Sequence, residues 1–243
     1  MYKEYYRYDS EGFYRQCTTK QAAEYLGVTR HEIARLVHAG ILNACRSAGD
    51  AFLIDVVSLH DYAQLNKGKG RPFSTSVAWG ALWHLSKLDV DWLTYQQSRR
   101  LKMRLDEIDA DTLLWAVRNR ARMSRFSLDE SLLSHAKKEL VLTGGSTSNL
   151  SSFGLTNNPG GLEGYIMEDD VLDFLARFRA SSNEKPNFLL RVIDDNTPTQ
   201  VAATKKMPVA VVAADLASSL VSRERSAGRD KIEELLDERR RAA

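Results

Sequence analysis

From Thr18 onward the apolar positions fall at helical spacing. Thr18-Thr19-Lys20-Gln21 has the form of a capping box, a hydroxyl at the N-cap with a glutamine three residues on, and Ala22, Ala23, Tyr25 and Leu26 follow up to a stop at Gly27. Thr29-Arg30-His31-Glu32 repeats the box ahead of Ile33, Leu36 and Val37, with Gly40 as the next stop. Only Gly27 and Val28 separate the two helices. So tight a turn, with glycine supplying backbone freedom and Val28 expected to plug the angle, is what a helix-turn-helix requires. The period then shortens. Asn43 to Arg46 and Ala51 to Ile54 flank Ser47-Ala48-Gly49-Asp50, so two short strands around a turn make a hairpin, a wing. Asp55 caps a closing helix through Val56, Leu59 and Tyr62, and its apolar pattern ends near Leu65.

Asn66-Lys67-Gly68-Lys69-Gly70-Arg71-Pro72 has two glycines and a proline and marks a linker. From Ser74 to about Leu142 the pattern reads as helix almost throughout. Val77, Trp79, Leu82, Trp83 and Leu85 form one segment, Leu93 to Leu105 a second, Asp111 to Arg125 a third and Ser127 to Leu142 a fourth. Beyond Gly144-Gly145 and the turn-rich stretch Ser146 to Gly161, Glu163 to Met167 and Phe188 to Ile193 read as strands, with a helix from Asp169 to Phe178 between them. Pro208 opens a helix carrying Val209, Val212, Leu216 and Leu220, and Ser222 to Arg241 is a polar helix with Ile232, Leu235 and Leu236 on one side. The expected fold is mainly α with a smaller α+β part: a winged helix-turn-helix domain at 1–66, a basic linker at 67–73, and a helical and α+β domain at 74–243 ending strand-helix-strand-helix.

Length and composition narrow the class. A chain of 243 residues suits two compact units or one elaborated one. Hydrophobic residues at 43% and charged residues at 27% exclude a disordered or fibrous chain. The longest apolar run, Val209 to Ala214, is too short to cross a bilayer, and residues 1 to 16 lack the apolar core of a signal peptide, so the chain reads as cytoplasmic with no membrane role. Cys17 and Cys45 are too few for a disulfide framework and read as buried thiols. The net charge of +2 hides an asymmetry: residues 1–66 hold 7 Lys+Arg against 8 Asp+Glu, residues 67–125 hold 12 against 6, and residues 126–243 hold 15 against 18. A basic middle suits a polyanion; the mildly acidic last half suits another role.

With Ile33, Leu36 and Val37 turned inward, Thr29, Arg30, His31, Ala34, Arg35 and His38 are left for a major groove. Arg pairs with guanine N7 and O6, and Ala34 lets the helix approach a thymine methyl. Arg46 is the wing's candidate phosphate contact. Lys69-Gly70-Arg71-Pro72 resembles the core of an AT-hook, so Lys67, Lys69 and Arg71 are candidates for phosphate or minor-groove contact, although a solvated hinge explains them as well. The runs Arg99, Arg100, Lys102, Arg104 and Arg118, Arg120, Arg122, Arg125 read as solvated helix faces, with ion pairing to interleaved acids and phosphate contact both open. Tyr2, Tyr5, Tyr6, Tyr8 and Tyr14 are expected to pack on the winged domain. Gly144-Gly145-Ser146-Thr147-Ser148 lacks a following Gly-Lys-Ser/Thr and reads as a turn; Glu168-Asp169-Asp170 answers a helix dipole; the five histidines show no ligand spacing. No catalytic residue, cofactor or metal is expected.

Thr19-Lys20-Gln21-Ala22-Ala23-Glu24-Tyr25-Leu26-Gly27-Val28-Thr29-Arg30 followed by Leu36-Val37-His38-Ala39-Gly40-Ile41-Leu42 resembles the excisionase and MerR-like winged helix-turn-helix family over about residues 17 to 65. Its wing tip, Ser47 to Asp50, departs in lacking a basic residue. Further on, Gly70-Arg71-Pro72-Phe73-Ser74, Arg99-Arg100-Leu101, Leu142-Thr143-Gly144, Glu163-Gly164-Tyr165-Ile166, Leu190-Arg191-Val192 and Val211 to Ala217 are similar to bacterial helix-turn-helix antitoxins akin to AbiEi. That resemblance implies a repressor of its own operon, bound to double-stranded operator DNA, whose remaining domain counters a nucleotidyltransferase-like toxin. A homodimer is a further expectation, since one winged domain reads only a short site. A phage-type excisionase or immunity repressor, and an enzyme targeted by a winged domain, are the alternatives.

Overall fold

The computed structural model describes residues 16–38, 42–46, 49, 51–66, 71–156, 161–181 and 186–242. The tyrosine-rich start, Gly40 and the Ser47, Ala48 and Asp50 positions of the wing tip lie outside them, as does the side chain of Cys45. The chain divides into two compact units, Met1–Lys67 and Gly68–Ala243.

In the first unit, strand β1 (Gln16–Thr18) leads into α1 (Thr19–Leu26), α2 (Arg30–His38), β2 (Ala44–Arg46), β3 (Phe52–Asp55) and α3 (Val56–Asn66). The capping box forms: Thr18 Oγ1 accepts from Gln21 N at 3.2 Å, while Gln21 Oε1 accepts from Thr18 N at 2.9 Å. β2 and β3 make the antiparallel wing, with Arg46 opposite Phe52. The sequence pattern did not reveal β1, which pairs with β3 through Cys17 opposite Ile54 and gives the sheet order β1-β3-β2. Three residues are too few to show a period of two. Asp55 caps α3 by accepting from Val57 N at 3.3 Å and Ser58 N at 2.9 Å. Ala22, Ala23, Ile33, Leu36, Leu42, Ile54 and Leu59 form the core. Val28 does not plug the turn: it is 37% exposed, and only its backbone N–H, bonded to Ala23 O at 3.0 Å, closes the corner.

The second unit runs α4 (Thr75–Leu85), α5 (Tyr95–Glu107), α6 (Ala110–Ala116), β4 (Arg122–Phe126), α7 (Glu130–Ala136), β5 (Val141–Leu142), β6 (Leu162–Met167), α8 (Glu168–Arg177), β7 (Phe188–Ile193), α9 (Thr199–Ala202), α10 (Val209–Ala217) and α11 (Ser222–Ala242). Sheet order is β4-β7-β6-β5, with β6 and β7 parallel across α8 and the outer pairs antiparallel. Alternation in β7 splits the unit into layers. Phe188, Leu190 and Val192 pack with Phe174 and Phe178 of the α8 region, whereas Ile193, with Tyr165 of β6, joins the helical core around Trp79, Leu82 and α10. Phe73 N–H donates to Ala116 O at 2.9 Å and its ring packs on that core.

Two of the helical segments expected here are corrected. The third ends at Ala116, turns once as a 3₁₀ helix at Arg118–Arg120, and becomes the edge strand β4. The fourth is helical only at Glu130–Ala136, then turns at Lys137–Glu139 and enters β5. In both, pairing with a neighbouring strand overrides a sequence compatible with helix. α10 is buried from Ala210 to Ala217, with Pro208 at its N-cap, and it stops before Leu220. Gly228 of α11 lies against it so closely that a Cβ would come within 2.4 Å of Ala213 O and Ala217 N.

Candidate nucleic-acid interface

Helices α1 and α2 meet at Gly27, whose φ of +67° and ψ of +32° place it in the left-handed region that glycine enters without a Cβ penalty. Thr29 starts α2, its Oγ1 accepting from Glu32 N at 3.2 Å. The second capping box is only half made. The Glu32 carboxylate is drawn forward by Arg35, which donates from Nε at 2.8 Å and Nη2 at 2.6 Å. This two-pronged pair raises the Arg35 pKa and lowers that of Glu32, in both cases chiefly through the side-chain hydrogen bonds.

Ile33 and Leu36 are buried and Val37 half-buried, so the seam expected for α2 faces the core. Arg30, His31, Arg35 and His38 are exposed and Ala34 is half-buried. One face of α2 thus brings together Thr29, Arg30, His31, Ala34 and Arg35. His38 and Arg46 converge instead on Phe52. The His38 ring meets it edge-on at 5.4 Å, and the Arg46 guanidinium lies 4.8 Å from the ring centroid. Phe52 and Glu32 are the two neighbours that the sequence reading of this face missed. The i,i+3 spacing of Glu32 and Arg35 was the available signal; the Phe52 contact depends on strand register and left none. Lys67 and Lys69 lie outside the described residues. Arg71 is exposed.

The second unit places its charges differently, and here Arg120 departs from a solvated helix face. It is buried, donating from Nη2 to Asp215 and from Nε to Tyr165 Oη at 3.3 Å. Asp215 also accepts from Thr143 Oγ1 and from Tyr165 Oη at 3.1 Å, and it forms an ion pair with Arg191, whose Nη1 is 3.2 Å away. Arg191 Nε reaches Glu163 at 2.7 Å and its Nη2 reaches Ser218 Oγ at 2.8 Å. Desolvation opposes the charge on Arg191, but Asp215 and Glu163 outweigh it and raise its pKa. Desolvation, reinforced by Asp215, likewise raises the Tyr165 hydroxyl against the pull of Arg120. The Glu163 carboxylate fills the space a Cβ would take at Gly144, which adopts φ +52° in a single 3₁₀ turn. The network ties β6, β7 and the Thr143 loop to α10.

Among the described residues no group of three or more His, Cys, Asp or Glu could hold a metal ion, and no helix is long and apolar enough to cross a membrane. Residues 17–66 match a family model described as a helix-turn-helix domain. No curated protein and no solved structure matches the chain. This segment is therefore a helix-turn-helix domain, a fold class that binds DNA and serves regulation.

Proposed function

We propose that this chain is a sequence-specific transcriptional repressor that lays α2 in the major groove of an operator. The observation that carries the reading is the polar face of α2, with Arg30, His31 and Arg35 exposed opposite the buried Ile33 and Leu36. Arg30 makes no ion pair among the described residues, so its guanidinium meets a base or phosphate without first giving up a partner. In a finer form, the chain is the antitoxin of a toxin-antitoxin operon, repressing its own promoter while the second unit binds a nucleotidyltransferase-like toxin. The AbiEi-like pieces from Gly70 to Ala217 support that form, as does the acidic balance of residues 126–243.

The test is a footprint of the full chain on the DNA upstream of its own gene, together with co-expression beside the adjacent gene. Protection of a short site by the wild type and its loss in Arg30→Ala are expected, as is rescue of growth from the neighbouring gene product. A footprint without rescue leaves a repressor and removes the antitoxin; no footprint removes both.

A further inference from the structure

Two helix faces in the second unit are exposed, apolar at their centre and opposite in charge. On α5, Gln96, Arg99, Arg100 and Met103 stand at i, i+3, i+4 and i+7, beside Tyr95 one turn before Arg99. Tyr95 is 81% and Met103 57% exposed. Arg99, Arg100, Lys102 and Arg104 form no ion pair among the described residues, whereas Arg122, Arg177 and Arg229 each hold a carboxylate at 2.8–2.9 Å. Arg100 and Arg104 even stack like charges at i,i+4, an arrangement that weakens an isolated helix. On α8, Asp169, Leu172, Asp173 and Ala176 repeat the i, i+3, i+4, i+7 spacing. All four are exposed, Leu172 by 81%; Asp169 and Asp170 have no cation partner among the described residues, while Asp173 accepts from Arg177 of its own helix at 2.8 Å.

We propose that two copies of this chain pair through these faces, α5 of one against α8 of the other. Charge complementarity selects the occupant, because the surface that matches the basic crest of α5 is carried by the same polypeptide. Tyr, Met and Arg are the side chains enriched at the centre of protein interfaces, and a phosphate backbone gives Met103 and Leu172 nothing to pack on. A two-fold axis makes the contact twice, which moves the buried area toward the roughly 1,200–2,000 Å² of a stable pair. Such a pair presents two copies of α2 to two half-sites, and the proposal does not depend on the antitoxin reading.

Sedimentation velocity of the full chain tests it. The wild type sediments as a dimer at tens of micromolar and dissociates as salt rises. R99E/R100E and D169K/D173K each weaken dimerisation at least tenfold, with circular dichroism unchanged. Mixed in equal amounts, the two variants dimerise again, because in the mixed pair each reversed face meets its complement. A monomeric wild type, dimerisation that survives either reversal, or a mixture that stays monomeric overturns the proposal. So does an R99E/R100E protein that keeps its dimer and loses DNA affinity, which would make α5 a nucleic-acid surface.

Discussion

Glu32 grips Arg35 with both carboxylate oxygens, and a guanidinium so held must exchange one bidentate partner for another before it reads a guanine edge. Arg35→Ala is therefore expected to cost about 1–3 kcal/mol on the operator and clearly less on a random duplex. Fluorescence titrations on both duplexes check this, and equal losses would deny Arg35 a base-reading role. Glu32→Gln removes a negative charge facing the groove and loosens the grip, so binding to any duplex should tighten in the same titrations. Cys17 offers a second residue-scale test. Burial first, then the nearby Asp55 carboxylate, push its thiol from an ordinary 9.0 up to about 11. The protonated thiol thus stabilises the fold below pH 9, and that contribution is lost as pH rises through 11. At pH 8 the folded protein should carry about 100-fold less Cys17 thiolate than the unfolded chain. Site-resolved alkylation in native and denaturing buffer measures the ratio.

Elements owe their positions to a few close approaches. Gly228 permits α11 to lie on the backbone of α10, and Gly228→Ala would drive a methyl into Ala213 O and Ala217 N, both backbone atoms with no rotamer to yield. A loss of about 1–3 kcal/mol or more is expected from overpacking of this kind, read as a lower midpoint in urea. Legibility in the sequence follows the same local logic. α1, α2, α8 and α11 were legible because a cap or an amphipathic stripe lies within each segment. β6 and β7 were legible because an apolar run bounded by turn residues has few other uses. β1, β4 and β5 were not, since two to five residues become strand only when a distant partner supplies the other half of the ladder. For the candidate interface, the exposed and buried sides of α2 were legible from period alone. The Glu32–Arg35 pair left its i,i+3 spacing as a signal, whereas what His38 and Arg46 touch was not legible, because their approach to Phe52 depends on a strand register set only on folding.

At the scale of the whole molecule, the buried network makes Asp215 a single point on which two arginines and a tyrosine depend. Asp215→Ala leaves Arg120 and Arg191 short of a counter-charge in the core and is expected to destabilise the second unit by about 3–5 kcal/mol. The helix-turn-helix should be spared. Far-UV melting combined with operator binding separates the two effects, and a variant that lost DNA binding along with its second unit would deny this independence. The network also has an order in time. Its charged members come from positions 120, 163, 191 and 215, and the last of them to leave the ribosome is the carboxylate that both arginines share. A nascent chain has residues 16–66 complete long before Asp215 emerges, so the first unit can fold and find DNA while the second still waits for its counter-ion. A message cut short before codon 215 would therefore yield a polypeptide able to occupy the operator but unable to close its larger unit, competing with intact copies for the same site.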